Sequence, residues 1–452
     1  MATAAEPLDG TGDSTRRRIP PVDRILASEP FAESLRSFGR TRVKEALASH
    51  LDSLRATKSE YDELAAASAV HEALTRRTGS TLRTVVNGSG IIIHTNLGRS
   101  PIDEALWARA GEVASRYSNL EFDLQTGQRG ARDEHLSELC STLFGCEAAV
   151  LTNNNASAVL LLLSALARDR EVIVSRGELV EIGGSFRVPD VIQQGGARLK
   201  EVGTTNRTRA ADYDHAIGGE TAAILRVHRS NFEIVGFTET PSIADLVQVS
   251  RERKVFMLYD EGSGRVVDLA RYGFAPSPTI RGLFSQGVDA LTCSTDKLIG
   301  ATQGGLILGS REIIDRCRRH PLMRALRAGK ESYAVLAETL RAFATESFET
   351  EVPVYRMLAT PVEVLRERAA RLIEGTAATM IESRCALGGG TTPAEAIESV
   401  AIALAGNANG WADRLLANDP PVVGRIVDDR FTIDLRTLLD DRDLAVVFAA
   451  IR

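Results

Sequence analysis

One lysine, set in an unusual turn, is the first candidate for chemistry. The run Leu291-Thr292-Cys293-Ser294-Thr295-Asp296-Lys297-Leu298-Ile299-Gly300 leads an apolar stretch into a Ser/Thr-rich turn, then a lysine, then glycines at 300, 304 and 305. A lysine that attacks an aldehyde must lose its proton and be held in place. A buried strand end supplies both conditions, because burial lowers the pKa of an amine. Ser294 and Thr295 offer hydroxyls to an anion beside it, and the glycines permit close backbone approach. The same run also reads as an ordinary surface turn, so Lys297 needs support from elsewhere in the chain.

Three further segments supply that support. Tyr259-Asp260-Glu261-Gly262-Ser263-Gly264 ends a strongly apolar run, and a carboxylate buried there needs a cationic partner. In aspartate-aminotransferase-like (fold type I) enzymes, an aspartate so placed pairs with the pyridinium nitrogen of pyridoxal 5'-phosphate and makes the ring a better electron sink. Asn153-Asn154-Asn155-Ala156-Ser157 opens a helical run. Free amides at a helix start attract phosphate, so Asn154, Asn155 and Ala156 are candidates to hold one. The same asparagines also cap a helix without any ligand. Finally, His320 to Arg327 places Arg324 and Arg327 three residues apart on one predicted helix face, with Pro321 in its first turn. Arginine forks bind phosphate-type anions in pairs of hydrogen bonds. Arg99 and Arg132 add to these from glycine-bearing turns, Asn96-Leu97-Gly98-Arg99 and Gly127-Gln128-Arg129-Gly130-Ala131-Arg132.

These residues need a scaffold, and the hydrophobic pattern describes one. From about Leu82, short apolar runs alternate with helical stretches: 91–93, 148–151, 172–174, 223–225 and 255–258 read as buried strands, 156–168 and 242–253 as helices. That alternation predicts an α/β domain with a mostly parallel sheet, over 81–338. Residues 339–452 read as a smaller α+β domain, helical first and strand-like at 422–426 and 431–435, with Gly388-Gly389-Gly390 between. Residues 19–80 carry apolar side chains at helical spacing and form a small helical unit. Residues 1–18 are rich in Gly, Ser, Thr and Arg and read as a disordered lead-in.

Bulk composition narrows the class. The 452 residues are 44% hydrophobic and 25% charged, enough for more than one domain with a sizeable core. A net charge of -6 argues against wrapping by nucleic acid but leaves room for a local basic face. Between Ser14 and Glu45, eight basic residues stand against four acidic ones, reversing the balance of the whole. A solvated helix face and a nucleic-acid-facing module both fit that surplus. No run approaches membrane-spanning length, and no apolar stretch follows Arg16-Arg17-Arg18, so a cytoplasmic protein is expected. Five cysteines without a C-x-x-C pair read as reduced thiols, and no metal site is expected.

Assembled, these segments resemble bacterial selenocysteine synthase, the L-seryl-tRNA(Sec) selenium transferase family. The likeness rests on Val86-Asn87-Gly88-Ser89-Gly90, His94-Thr95-Asn96-Leu97-Gly98-Arg99, Tyr117-Ser118-Asn119-Leu120-Glu121-Phe122-Asp123-Leu124, Arg129-Gly130-Ala131-Arg132 and Asn153-Asn154-Asn155-Ala156. It extends through 175–187, 201–208, the lysine run and His320 to Arg327. The resemblance implies that Lys297 bears pyridoxal phosphate and that Arg99, Arg132, Arg324 and Arg327 bind the anionic selenium donor, selenophosphate. It implies that the N-terminal helices bind seryl-tRNA(Sec), and that the enzyme assembles as a homodecamer, a pentamer of dimers. The expected reaction is β-elimination of the seryl hydroxyl to dehydroalanyl-tRNA, then addition of selenium. The chain departs from the family pattern at Glu261, Thr295, Ala301-Thr302 and Gly329-Lys330. Two rival readings stay open: a β-eliminating lyase acting on a free amino acid, and an inactive tRNA-binding homologue.

Overall fold

The computed structural model describes residues 19–182, 186–392 and 395–452, so the expected lead-in at 1–18 lies outside the described residues. The chain divides into two compact units, Met1–Thr84 and Val85–Arg452.

In the first unit, α1 (Val22–Leu26), α2 (Ala32–Phe38), α3 (Arg40–Thr57) and α4 (Glu63–Thr78) follow one another. Phe31, Val43, Leu47, Leu51, Val70 and Leu74 recur at helical spacing and form its core. The Asp62 side chain caps α4 by accepting from the Ala65 amide at 2.7 Å. With the apolar stripe turned inward, Arg24, Arg36, Arg40, Arg42 and Lys44 are left exposed.

The second unit is built on a seven-stranded sheet of β1 (Ala148–Thr152), β2 (Glu171–Ser175), β3 (Arg198–Val202), β4 (Thr221–Val227), β5 (Phe256–Gly262), β6 (Ala290–Ser294) and β7 (Gly305–Gly309). Their order across the sheet is β1-β7-β6-β5-β4-β2-β3. β7 is antiparallel to both of its neighbours, and the other pairings are parallel. Both faces are covered. Leu151, Ile173, Ile224, Met257 and Leu291 pack on one side, and Val150, Val172, Leu225, Leu258 and Ile307 on the other. That two-sided burial is why these strands read as continuous apolar runs rather than alternating ones. Parallel strands aligned this way present their carboxyl ends together, where open α/β sheets bind ligands.

A second sheet joins β8 (Thr379–Ala386), β9 (Ala396–Leu404), β10 (Arg425–Val427) and β11 (Arg430–Asp434) in the order β8-β9-β11-β10, all antiparallel. Its two longest strands escape the sequence pattern. β8 carries Glu382 and Arg384 and is half exposed, so no buried run announces it. One expected strand is corrected. Residues 91–93 join neither sheet; the amides of Ile92 and Ile93 donate to Ala386 and Leu387, and only Ile91 forms an isolated bridge. Their hydrophobicity reflects burial of Ile92 and Ile93, not pairing in a ladder. Among the described residues no helix is long and apolar enough to cross a membrane, and all five cysteines are buried, unpaired thiols.

One close approach fixes the neighbourhood of the site. β7 begins at Gly305, opposite both Thr152 and Ser294. A Cβ added there would lie 2.1 Å from the Asn154 carbonyl oxygen. Gly305→Ala forces that backbone aside and should destabilise the fold by about 1–3 kcal/mol. Thermal denaturation reads this as a lower midpoint; an unchanged midpoint means the contact is not rigid.

Candidate active site

Lys297 sits just past β6, its side chain withdrawn from solvent. The residue is 7% exposed, and Nζ donates to the carbonyls of Gly262 at 2.9 Å and Gly390 at 3.3 Å. Burial first, and then the neighbouring Arg99 guanidinium, hold the amine below the ordinary lysine pKa. The Thr295 hydroxyl donates to the Thr302 carbonyl at 2.6 Å, so it closes the turn that presents the lysine. Ser100 Oγ donates to the Lys297 carbonyl at 2.5 Å and pins the backbone from the other side. Ser294 is buried at the end of β6.

Asp260 stands at the carboxyl end of β5, next to β6 in the sheet. Its Oδ1 accepts from Asn155 Nδ2 at 2.8 Å and from Thr292 Oγ1 at 3.0 Å. Burial pushes its carboxyl above the usual range, although those two hydrogen bonds and the Lys297 charge work against the shift. Neutral donors thus hold a carboxylate that would be better matched by a cation. Glu261, next along, turns away and closes the loop after β5, its Oε2 accepting from the Gly264 amide at 2.5 Å.

α5 (Asn155–Leu166) starts beside them. Asn154 is its N-cap and accepts from the Ser157 amide at 2.8 Å. The amides of Asn155 and Ala156, at the first two helical positions, remain as the donors that the helix cannot satisfy itself. Asn155 therefore does more than the sequence suggested: its backbone belongs to the helix start and its side chain to Asp260.

The four predicted arginines do not form one group. Arg99 Nη1 pairs with Asp296 Oδ2 at 2.5 Å, next to the lysine. Arg132 Nε and Arg327 Nη1 both meet Glu121 Oε1, at 2.6 Å and 3.2 Å. Arg324 is exposed, on the short helix α6 (Met323–Leu326). The expectation that Arg324 and Arg327 share a helix face is corrected, because α6 ends at Leu326 and Arg327 is extended, at φ -66° and ψ 141°. A backbone bridge between Arg327 and Thr152 holds it in that conformation and outweighs helical continuation.

Three further residues belong to the site. Asp296 adjoins Lys297 in sequence and pairs with Arg99. Glu121 gathers Arg132 and Arg327. Gly390 lies in the loop between β8 and β9, with φ +88°, and a Cβ there would come 2.7 Å from Lys297 Nζ. The run of three glycines at 388–390 was the available sign, since such a run marks close backbone approach. The loop is docked by Gly390 N donating to Ser230 O at 3.0 Å and by a 2.8 Å bond between His228 Nε2 and Thr391 O. Around the lysine, Asn155 Oδ1, Asp296 Oδ1 and His94 Nδ1 are buried without a hydrogen-bond partner. Native interiors rarely leave such atoms unsatisfied, so these have bonding capacity to spare. Among the described residues, no cluster of His, Cys, Asp and Glu is arranged to hold a metal ion.

Comparison with known proteins then decides the family. The family described as L-seryl-tRNA selenium transferase matches residues 85–439, and the selenocysteine synthase N-terminal family matches 16–55. The L-seryl-tRNA(Sec) selenium transferase of Geobacter sulfurreducens is 45% identical over 96% of this chain and 98% of its own length. The chain belongs to the L-seryl-tRNA selenium transferase family. The enzyme of the same name from Hyphomonas neptunium is 42% identical over the same shares. A solved structure of D-glucosaminate-6-phosphate ammonia-lyase matches with a TM-score of 0.61 and 21% identity, covering 84% of this chain and 97% of that one. It shows the fold alone: this selenium transferase family member has the α/β architecture with a mostly parallel sheet expected from the sequence.

The Asp260 cradle makes a local prediction. Asn155→Ala removes one donor from a buried carboxylate and should cost about 1–3 kcal/mol. The measurement is the thermal midpoint against that of Asn154→Ala, which removes only a cap. Equal midpoints for wild type and Asn155→Ala would show that Asp260 does not depend on the amide.

Proposed function

We propose that this enzyme converts serine esterified to tRNA(Sec) into selenocysteine, with pyridoxal 5'-phosphate as cofactor and selenophosphate as selenium donor. The observation that carries the reading is a buried lysine of lowered pKa near a buried aspartate whose hydrogen-bond donors are an amide and a hydroxyl rather than a cation. The residues present fit the cofactor. Lys297 would carry it, Asp260 would face its ring nitrogen, and the amides of Asn155 and Ala156, with the Asn154 cap and Ser294, would take its phosphate. When bound, the cofactor supplies an electron sink that acidifies the α-proton of an attached amino acid.

The chain's own groups do the rest. Lys297 Nζ, whose pKa burial lowers, takes the seryl α-proton. The carbonyls of Gly262 and Gly390 fix where that nitrogen waits. The β-hydroxyl leaves as water and gives dehydroalanyl-tRNA. Selenium then adds at the β-carbon, hydrolysis breaks its bond to phosphorus, and phosphate departs. Of the four arginines, Arg132 and Arg327, which meet at Glu121, are the pair placed to hold the donor anion, with Arg99 beside Lys297 and the exposed Arg324 adding charge. The exposed Arg24, Arg36, Arg40, Arg42 and Lys44 of the helical unit suit a tRNA backbone. The family resemblance supports a homodecamer, a pentamer of dimers.

Lys297→Ala should abolish both the yellow absorbance of the cofactor-loaded protein and the conversion of seryl-tRNA(Sec) in the presence of selenophosphate. An enzyme that consumes free serine but leaves seryl-tRNA(Sec) untouched would replace this reading with that of a lyase. A colourless wild-type protein after incubation with pyridoxal phosphate would leave only an inactive homologue.

Asp260 gives a second test that does not need activity. Its raised folded-state pKa favours folding below the ordinary carboxylate pKa, and that contribution is lost as pH rises through the raised value. Without cofactor, Asp260→Asn should therefore raise the thermal midpoint over wild type more near about pH 7 than near about pH 4. Adding pyridoxal phosphate should reverse the order at neutral pH, because the ring cation then favours the charged aspartate. A variant whose advantage is the same at both pH values, or survives the cofactor, would remove Asp260 from the ring.

A further inference from the structure

Glu121 is the carboxylate on which three arginines close. Its Oε1 accepts from Arg132 Nε at 2.6 Å and Arg327 Nη1 at 3.2 Å, and its Oε2 accepts from Arg129 Nη2 at 3.1 Å. The Arg132 hydrogen bond is the main reason its carboxyl titrates below the usual range. The segment 119–132 is braced from within. Asp123 accepts from the amides of Gln125 and Thr126, and the Gly130 amide donates to the Glu121 carbonyl at 3.1 Å. Arg129 and Arg132 thus arrive on the same loop as Glu121. Arg327 arrives from 206 residues away, its backbone bridged to Thr152. Three guanidinium groups repel one another, and Glu121 is the charge that draws Arg327 and Arg132 to one point.

The bonds made also define the bonds left over. Arg132 spends Nε on Glu121 and Nη1 on the Ala328 carbonyl, at 2.8 Å. Arg327 spends Nη1 alone on Glu121. The remaining N–H groups, on Nη1 and Nη2 of Arg132 and on Nε, Nη1 and Nη2 of Arg327, belong to two side chains whose positions share one oxygen atom. Arg132 and Arg327 are 19% and 27% exposed at the side chain, while Arg129, at 76%, is largely in solvent. Arg129 therefore contributes charge but little fixed geometry.

We propose that Glu121 is a positioning residue for the selenium donor: it holds Arg132 and Arg327 as one anion-binding pair without touching the donor itself. This rests on the reading that these arginines bind selenophosphate. The proposal makes a counter-intuitive demand. Removing Glu121 makes the site more positive, which by charge alone strengthens anion binding. If geometry governs, binding weakens instead.

The experiment uses the cofactor-loaded enzyme with Glu121→Ala and Glu121→Gln, and inorganic phosphate as a probe competing with selenophosphate. Glu121→Ala should raise the donor KM and the phosphate inhibition constant together, on the order of tenfold to a hundredfold. Dehydroalanyl-tRNA formation without donor should run at the wild-type rate. Glu121→Gln keeps an acceptor oxygen and should fall between the two. Unchanged or tighter phosphate binding in Glu121→Ala would overturn the proposal and make Glu121 a bystander or a competitor of the donor. Equal loss in both half-reactions, or a changed cofactor absorbance, would overturn it in favour of a purely structural role. Wild-type enzyme in which phosphate does not compete with the donor would instead remove the arginines from the donor site, and Glu121 with them.

Discussion

Taking the Lys297 amine out of water is unfavourable unless its protons find acceptors or it gives one up. The fold answers with two backbone carbonyls, Gly262 just after Asp260 and Gly390 from the loop between β8 and β9. Each imposes a condition. The first requires β5 and β6 to lie side by side, with their carboxyl ends level. The second requires a chain segment from the C-terminal sheet to enter the site with no side chain, because a Cβ at Gly390 would take the space of Nζ. The seven-stranded sheet, the turn closed by Thr295 and the glycine loop all serve the placement of that one nitrogen.

The carboxylates around the site are arranged by the same logic at different depths. Asp260 is deep and is held by an amide and a hydroxyl, so its charged form is penalised until a cation arrives. Asp296 is paired with Arg99 on one oxygen and has an unpartnered second oxygen. Glu121 lies nearer the surface and is over-supplied with cations. From Asp260 to Glu121 the balance thus passes from a carboxylate lacking a cation to cations in excess. On the proposed function, a positively charged ring suits the first end and an anionic donor the second.

How much of this was legible in the sequence depends on how local each signal is. Lys297 and Asp260 each sit at the end of an apolar strand, and the asparagines at 153–155 open a helix, so a short window contains the clue. The parallel sheet was legible for the same reason, since burial on both faces writes itself as uninterrupted runs. Gly390 left only the glycine run as a sign and Glu121 only its neighbouring arginines, because the contacts to Lys297 and Arg327 span 93 and 206 residues. The helix drawn through Arg324 and Arg327 failed for a related reason. Local spacing favoured it, but pairing with Thr152, in a different strand, fixed Arg327 as extended backbone.

That extended residue has a consequence for how the two ends of the site communicate. Thr152 is the last residue of β1 and lies two residues before the Asn154 cap of α5. The same short stretch therefore holds Arg327 by its backbone, donates the Asn153 amide to the Leu326 carbonyl at 2.8 Å, and sets the helix start whose Asn155 reaches Asp260. The 326–327 backbone is thus tied to the same segment that starts the helix. Arg327 and the helix start that reaches Asp260 are therefore placed relative to one another by a strand end and a helix cap, backbone elements rather than long side chains.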